Sequence, residues 1–280
     1  MTRRQFLRLL AVGMGGAALT GGGWLYATQI EPYWLEITER EIVLPRLPRA
    51  FDGYRLAHFS DIHADSGMNA ERIRAVCEAV NALRPDCIAI TGDFVSRLPI
   101  QAQIADLRAA LPTLRATDGV VAVLGNHDHW TSRTSVRRLL AECGIVNVSN
   151  GVRTLTRGAE SLHLCGVDDV WERFNRLDEV LAKLPTAGAA VLLAHEPDYA
   201  DTVARVNRFD LQLSGHTHGG QVVLPGGQRP ILPYLGQKYP AGLYQVGAMQ
   251  VYTTRGIGMV PPKIRLNCRP EVAILTLRTP

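Results

Sequence analysis

From Tyr54 onward the chain alternates short apolar runs with segments whose apolar residues recur every three or four positions. The first pattern predicts buried strands and the second amphipathic helices. Tyr54–Ser60, Cys87–Thr91 and Val120–Leu124 read as strands, and Asn69–Leu83, Ala102–Leu114 and Ser132–Cys143 as helices. In the first helix Ile73, Val76, Val80 and Leu83 share a face and Asn69 is the N-cap; Gly144 stops the third. Strands follow near Ser161–Gly166, Ala190–Ala194 and Leu211–Ser214, with helices over Leu177–Leu184 and Tyr199–Val206. Beyond Gly219 the chain is rich in Gly and Pro, then gives strands near Met249–Thr254 and Val272–Leu277. Residues 33–44 alternate as a leading strand through Leu35, Ile37 and Ile42. This order predicts an α/β fold of helix-covered parallel strands with a more antiparallel end. No linker divides residues 45–280, so 28–44 is expected to pack on one domain.

The first 27 residues follow another pattern. Arg3, Arg4 and Arg8 precede an apolar run from Leu9 to Ala27 that carries six glycines. A basic start followed by an apolar run reads as an export signal or anchor, and adjacent arginines followed by Phe6-Leu7 resemble a twin-arginine signal. The run of 19 residues is close to the roughly 20 that span a bilayer. With no evident small-residue cleavage site, an uncleaved anchor is expected. The predicted location is exported: periplasmic or on the outer face of the cytoplasmic membrane, with the export machinery and the membrane as partners.

Composition adds exclusions. An apolar fraction of 46% and a charged fraction of 20% are ordinary for a globular chain, and no repeat is evident. The net charge of +4 owes three units to the N-terminal arginines; the rest of the chain has 27 basic and 26 acidic residues. Such scattered charge gives no basic face, so no nucleic-acid partner is expected. Five cysteines without a CxxC pair argue against a disulfide framework, and Cys77 and Cys87 fall in apolar patterns where thiols act as core residues.

The chemistry collects where strands end. Ser60-Asp61-Ile62-His63, Thr91-Gly92-Asp93, Gly125-Asn126-His127-Asp128, Ala194-His195-Glu196 and Ser214-Gly215-His216-Thr217-His218 each close a predicted strand. Ligands of open α/β sheets bind at the carboxyl ends of strands. Imidazoles, carboxylates and an amide suit Mn, Fe or Zn rather than a thiolate site. Asp61/His63 and His216/His218 are spaced so that, in regular strand, both members of each pair face one side. Seven candidates, Asp61, His63, Asp93, Asn126, His195, His216 and His218, exceed the needs of one ion and suggest two divalent ions sharing a carboxylate. Singly, each has a plainer reading as a turn, cap or structural residue; together they do not. Of the other histidines, His58 reads as packed, His163 as solvated on a strand edge, and His129 equally as a substrate contact or a loop residue.

In this order the motifs resemble those of the calcineurin-like metallophosphoesterases, from about Tyr54 to the C-terminus. His216-Thr217-His218-Gly219-Gly220-Gln221, Thr254-Arg255-Gly256-Ile257-Gly258 and Arg269-Pro270-Glu271 are similar to segments of membrane-anchored or twin-arginine-exported bacterial phosphodiesterases. The resemblance implies a four-layer α/β/β/α sandwich with two mixed sheets. It implies a first metal on Asp61, His63 and His218, a second on Asn126, His195 and His216, and Asp93 as bridge. His127 would stand beside the metals, touching the phosphate or protonating the leaving oxygen. Many relatives carry an Asp that orients this histidine, where Ser96 stands here. The implied reaction is hydrolysis of a phosphodiester or pyrophosphate in a phosphorylated small molecule or lipid, some relatives cleaving UDP-2,3-diacylglucosamine. The alternatives are a phosphomonoesterase or nucleotidase, and a non-catalytic metal-binding envelope protein. Arg255, in a Gly-rich loop, is a candidate for pairing with a substrate phosphate or equally for a surface ion pair, and the apolar loop Pro230–Leu235 for meeting acyl chains or for packing on the domain.

Overall fold

In the computed structural model, which describes residues 21–65 and 67–280, the apolar runs form two six-stranded sheets. The first contains β1 (Glu36–Val43), β2 (Tyr54–Phe59), β3 (Cys87–Ile90), β4 (Val120–Ala122), β5 (Val146–Asn147) and β12 (Glu271–Arg278), in the order β1-β12-β2-β3-β4-β5. The second contains β6 (Gly151–Arg157), β7 (Glu160–Gly166), β8 (Ala189–Leu193), β9 (Leu211–Ser214), β10 (Gly242–Val246) and β11 (Met249–Thr253), in the order β10-β11-β9-β8-β7-β6. Both sheets are mixed: β2, β3, β4 and β5 run parallel, as do β7, β8, β9 and β11, while β12 opposes β2 and hairpins close the second sheet.

Side-chain alternation makes the layers. Along β8, Ala189, Val191 and Leu193 face the first sheet's Leu56, Val121 and Leu275, while Ala190 and Leu192 face outward under helices. Helices α1 (Ala70–Ala82), α2 (Gln101–Ala110) and α4 (Arg133–Glu142) cover the first sheet, and α5 (Leu177–Lys183) and α6 (Ala200–Ala204) the second. The result is an α/β/β/α sandwich. Each buried Val or Leu contributes about 1.5–3 kcal/mol, and both faces of the central strands are used, which is why those strands read as unbroken apolar runs. Asn69 caps α1, its Oδ1 accepting from Arg72 N at 3.1 Å.

Several elements depart from the sequence pattern. Residues 126–131, expected as the loop after a strand, form a short helix, α3 (Asn126–Thr131), with Gly125 at the N-cap. The strands β5, β6 and β10 were not predicted; β6 and β10 are largely exposed and have little apolar pattern to read. The leading segment, by contrast, does form the strand its alternation predicts, β1, which pairs in parallel with β12 from Glu36↔Glu271 to Val43↔Arg278. His163, read as solvated, is buried: Thr154 Oγ1 and Ala187 O both lie 2.9 Å from its ring nitrogens, because β7 is an interior strand. No helix among the described residues is long and apolar enough to cross a membrane. The arginine pair and most of the expected anchor lie outside the described residues.

Candidate metal centre

The carboxyl ends of β2, β3 and β4 in one sheet and β8 and β9 in the other converge, and all seven candidate ligands come together there. The convergence is stitched by backbone: Asp61 N donates to Gly92 O at 3.0 Å, His63 N to Asp93 O at 3.0 Å, and Gly215 N to His195 O at 3.0 Å. His216 N donates to both Asp61 oxygens at 3.0 Å, joining the two sheets. The paired residues are not in regular strand. Asp61, His63, Asp93, His216 and His218 all have φ between 45° and 71°. Left-handed backbone is costly for residues with a side chain, and such strain gathers at functional sites. It corrects the expectation that strand alternation alone aims each pair; the chain turns back at each ligand instead. Glycines provide the room: a Cβ on Gly215 would lie 2.1 Å from Ser60 Oγ and 2.3 Å from Asp61 Oδ2.

Donor atoms cluster around two points. His63 Nε2 is 3.1 Å from His218 Nε2 and 3.4 Å from Asp93 Oδ2, and Asp61 Oδ1 is 3.6 Å from His218 Nε2. The same Asp93 oxygen is 3.2 Å from His195 Nε2. Asn126 Oδ1 and His195 Nε2 are buried without a hydrogen-bond partner. Two ring nitrogens in contact, a carboxylate oxygen between two histidines, and an orphaned amide oxygen are groups that cations satisfy, so the residues present fit two metal ions.

Backbone carbonyls fix the rings. His195 Nδ1–H donates to Thr91 O at 2.6 Å and His216 Nε2–H to Tyr234 O at 2.8 Å. A carbonyl only accepts, so in the neutral ring it is the opposite nitrogen that carries the lone pair. His127 is held the same way, Nδ1–H donating to the Ser96 carbonyl at 2.6 Å. Position 96 therefore does orient His127, through its main chain, and the Ser side chain costs nothing there. Asp128, at the third position of α3, reaches back to Gly125 N at 3.0 Å and across to Asp93 N at 2.9 Å, so it braces the metal loop rather than His127.

Charge follows from packing. Burial holds His216 down at about 3 and His218 well below the usual imidazole range, so both remain neutral and able to ligate. Burial opposes ionisation of Asp93, but His195, His127 and His63 outweigh it and keep this carboxyl well below its usual range. Burial also works against a charged His195, yet Asp93 and Asp61 pull it well above its ordinary value. Carboxylates that draw protons onto a buried imidazole mark a site that demands positive charge.

A cavity of ≈ 380 Å³ opens from these donors, with Trp130, Trp171, Ile231, Pro233, Val260 and Ile264 on its walls. The two tryptophans were missed in the sequence. Trp130 lies three residues beyond His127 on α3 with ring centroids 4.8 Å apart, a neighbour of His127 once this segment is helical. Trp171 had no local signal; its ring lies 5.2 Å from Trp130 and 5.6 Å from His216, and its amide donates to Glu196 Oε1 at 3.2 Å. Of the 230–235 loop, Pro230, Ile231 and Pro233 line the cavity. Arg255 does not: its guanidinium is held by Glu36 and Glu271, each at 3.1 Å, so of the two readings of its Gly-rich loop the ion pair is the one the structure shows, not phosphate pairing. His58 is buried against Thr91 Oγ1 at 2.9 Å, and His129 is paired with Asp168 at 2.8 Å.

The sequence profile of the calcineurin-like phosphoesterases matches residues 54–220. Along its whole length the chain is 36% identical to the Bacillus subtilis (strain 168) protein named uncharacterized metallophosphoesterase YkuE, 98% of which is covered. It is 30% identical to phosphodiesterase YaeI of Escherichia coli (strain K12), with 99% of each chain aligned. It is also 30% identical to a Danio rerio transmembrane protein with metallophosphoesterase domain, the alignment covering 87% of this chain and 57% of that one.

Proposed function

The chain belongs to the calcineurin-like phosphoesterase family, a family of hydrolases that use two divalent metals, and from that premise we propose that it cleaves a phosphodiester or pyrophosphate bond whose one arm is apolar. Asp61, His63 and His218 would hold one ion and Asn126, His195 and His216 the other, with Asp93 shared between them. The observation carrying this assignment is the position of Asp93 Oδ2, 3.4 Å from His63 and 3.2 Å from His195. When bound, the ions supply Lewis-acid polarisation of the phosphoryl group and activation of water.

The chain's own residues do the rest. With Nδ1–H committed to Ser96, His127 has only Nε2 with which to exchange a proton. Burial disfavours its charged form in the free site, whereas an arriving phosphoryl anion favours it. The proton thus enters with substrate and passes to the leaving oxygen. Trp130 and Trp171 exclude water on one side, and Ile231, 69% exposed at the cavity mouth, extends the apolar wall outward. That wall suits an acyl or similar apolar arm, as in a lipid-linked pyrophosphate such as UDP-2,3-diacylglucosamine. Residues 1–27 serve as the twin-arginine-type signal or anchor that brings the domain of residues 45–280, with its leading segment 28–44, to the membrane's outer face. The basic-apolar order of that segment and the exposed Trp24, Leu25, Tyr33 and Trp34 after it support this reading.

The test is a metal-reconstituted panel of an aryl monoester, an aryl diester, nucleotides and UDP-diacylglucosamine. Diesters or pyrophosphates should be turned over in preference to monoesters. A monoester preference would favour a nucleotidase, and a metal-loaded protein inert on the whole panel would favour a binding role. Ile231→Asp should weaken action on the acylated substrate and spare the aryl diester. Replacing Arg3 and Arg4 by lysine should retain the full chain in the cytoplasm; unchanged fractionation would reject the export signal.

A further inference from the structure

The segment from Thr254 to Glu271 carries two of the motifs named above and supplies no metal ligand. It lies behind the first ion's site. Ile257 N donates to Ser60 O at 3.0 Å and Gly258 N to Asp61 O at 2.7 Å. The approach is close enough to require glycine: a Cβ on Gly256, whose φ is 65°, would lie 2.7 Å from Asp61 Cβ, and one on Gly258 would lie 2.2 Å from Ile62 O. Near the other end of the segment the Cys268 thiol donates to His218 O at 3.3 Å. Asp61 and His218, two of the three ligands assigned to the first ion, are thus backed by one stretch of chain.

A buried cation holds that stretch in shape. Arg265 is fully buried, and its guanidinium bonds to main-chain carbonyls. Nη2 donates to Arg255 O at 2.8 Å, Gly256 O at 3.2 Å and Gly258 O at 2.7 Å, and Nη1 to Cys268 O at 2.9 Å. Bonds from a charged donor are stronger than neutral ones, so one side chain ties the loop over Asp61 to the residue behind His218. Glu31 completes the arrangement from the other end of the chain. Its carboxylate is fully buried, and Oε1 accepts from Cys268 N. Around it Arg265 N donates to Ala27 O at 2.9 Å, Arg269 to Trp34 O at 3.0 Å and Leu35 O at 2.9 Å, and Glu36 N to Pro270 O at 2.8 Å. Residues 27–36 are therefore hydrogen-bonded along residues 265–270. The second ion's histidines have other supports, His195 on Thr91 O and His216 on Tyr234 O.

We propose that Arg265 and Glu31 are positioning residues for the first metal ion alone: they lock residues 255–268 against Asp61 and His218 and so set that ion's affinity. The inference rests on the two-ion assignment and deepens it, because the two sites acquire different supports. Outer partners that hold ligands in place before an ion arrives raise its affinity. The support reaches back to Ala27, where the apolar run at the start of the chain ends. The stretch that joins the proposed anchor to the domain thus also belongs to the metal centre.

The experiment is equilibrium dialysis of the chelator-stripped full chain against Mn²⁺, with bound metal counted per chain and folding checked by circular dichroism. The parent should take up two ions. Arg265→Met keeps the apolar stem but removes the donors, and Glu31→Ala removes the acceptor for Cys268 N. Each should hold one ion as the parent does and bind the other about 10–100-fold more weakly. In His63→Ala, which already lacks a first-site ligand, adding Arg265→Met should change the remaining ion's affinity less than about twofold. If Arg265→Met does not fold, Glu31→Ala, which leaves the guanidinium in place, decides by the same criteria. Parallel weakening of both ions, unchanged affinity for both, or a further loss in the His63→Ala background would overturn the selective support while leaving the two-ion reading intact. A folded parent that takes up fewer than two ions would overturn both.

Discussion

Asp128→Asn is the substitution that best tests how the metal loops are held. Asp128 is fully buried, and each of its oxygens accepts two backbone amides: Oδ2 from Asp93 at 2.9 Å and Gly125 at 3.0 Å, Oδ1 from Phe94 at 2.9 Å and Val95 at 3.2 Å. All four neighbours are donors, so only the ionised carboxylate satisfies them. Asparagine fits the same space but turns one oxygen into an NH2, which must face two N–H groups. Two charge-assisted bonds of about 1.5–3 kcal/mol each disappear, and two buried amides lose their acceptor. The expected destabilisation is about 3–5 kcal/mol, equivalent to a Tm fall of about 10 °C in a domain of this size. The assay is urea unfolding with a chelator present, so that metal linkage does not mask the brace. A buffer of about pH 8 lies above the value of about 7 to which burial and Asp93 push this carboxyl. Metal content and turnover should fall together when ions are restored, since Asp93 N loses its anchor. Unfolding free energy within about 0.5 kcal/mol of the parent would refute the bracing role, because ordinary surface exchanges lie in that range.

Three further outcomes follow from the same contacts. Gly215→Ala places a methyl group 2.1 Å from Ser60 Oγ and should lower metal affinity or turnover about 10–100-fold, measured by metal titration; unaltered affinity would show that the loop yields. Gln103→Leu removes the three bonds that fix residues 96–99 and should lower kcat about tenfold while metal content holds, because the His127 ring loses its fixed carbonyl; a loss of metal instead would contradict this placement. His58 is brought down from the ordinary 6.5 to about 3 by burial, so as pH falls between those values the unfolded chain takes a proton that the folded chain refuses. Its contribution therefore makes stability drop toward acid by about 1.4 kcal/mol per pH unit. His58→Gln should flatten that slope by the same amount, and an unchanged slope would show that His58 titrates normally.

Much of the site was legible in the sequence because its residues sit where apolar runs stop. Strand ends are visible as a change from Ile, Val and Ala to Asp, Asn and His, and the five motifs need no long-range knowledge to be seen. What could not be read was anything set by a partner distant in the chain. Trp171 reaches His216 from 45 positions away, Arg255 is pinned by Glu36 across 219, and His163 is buried by the strand order. The short helix α3 was also hidden, since six residues with a buried Asn and Asp carry no helical apolar period.

His127 shows where the division falls. The sequence by itself supplied the donor atoms, the alternating strand and helix order, and a glycine before Asp93, Asn126 and His216. It could not say what orients His127, since a side-chain pattern does not reveal which backbone carbonyl a ring will meet. The tertiary structure decided that Ser96 O does so and that Asp128 serves the loop instead. Local chemistry is written in residue types, but carbonyl positions and cavity walls exist only after the two sheets have packed.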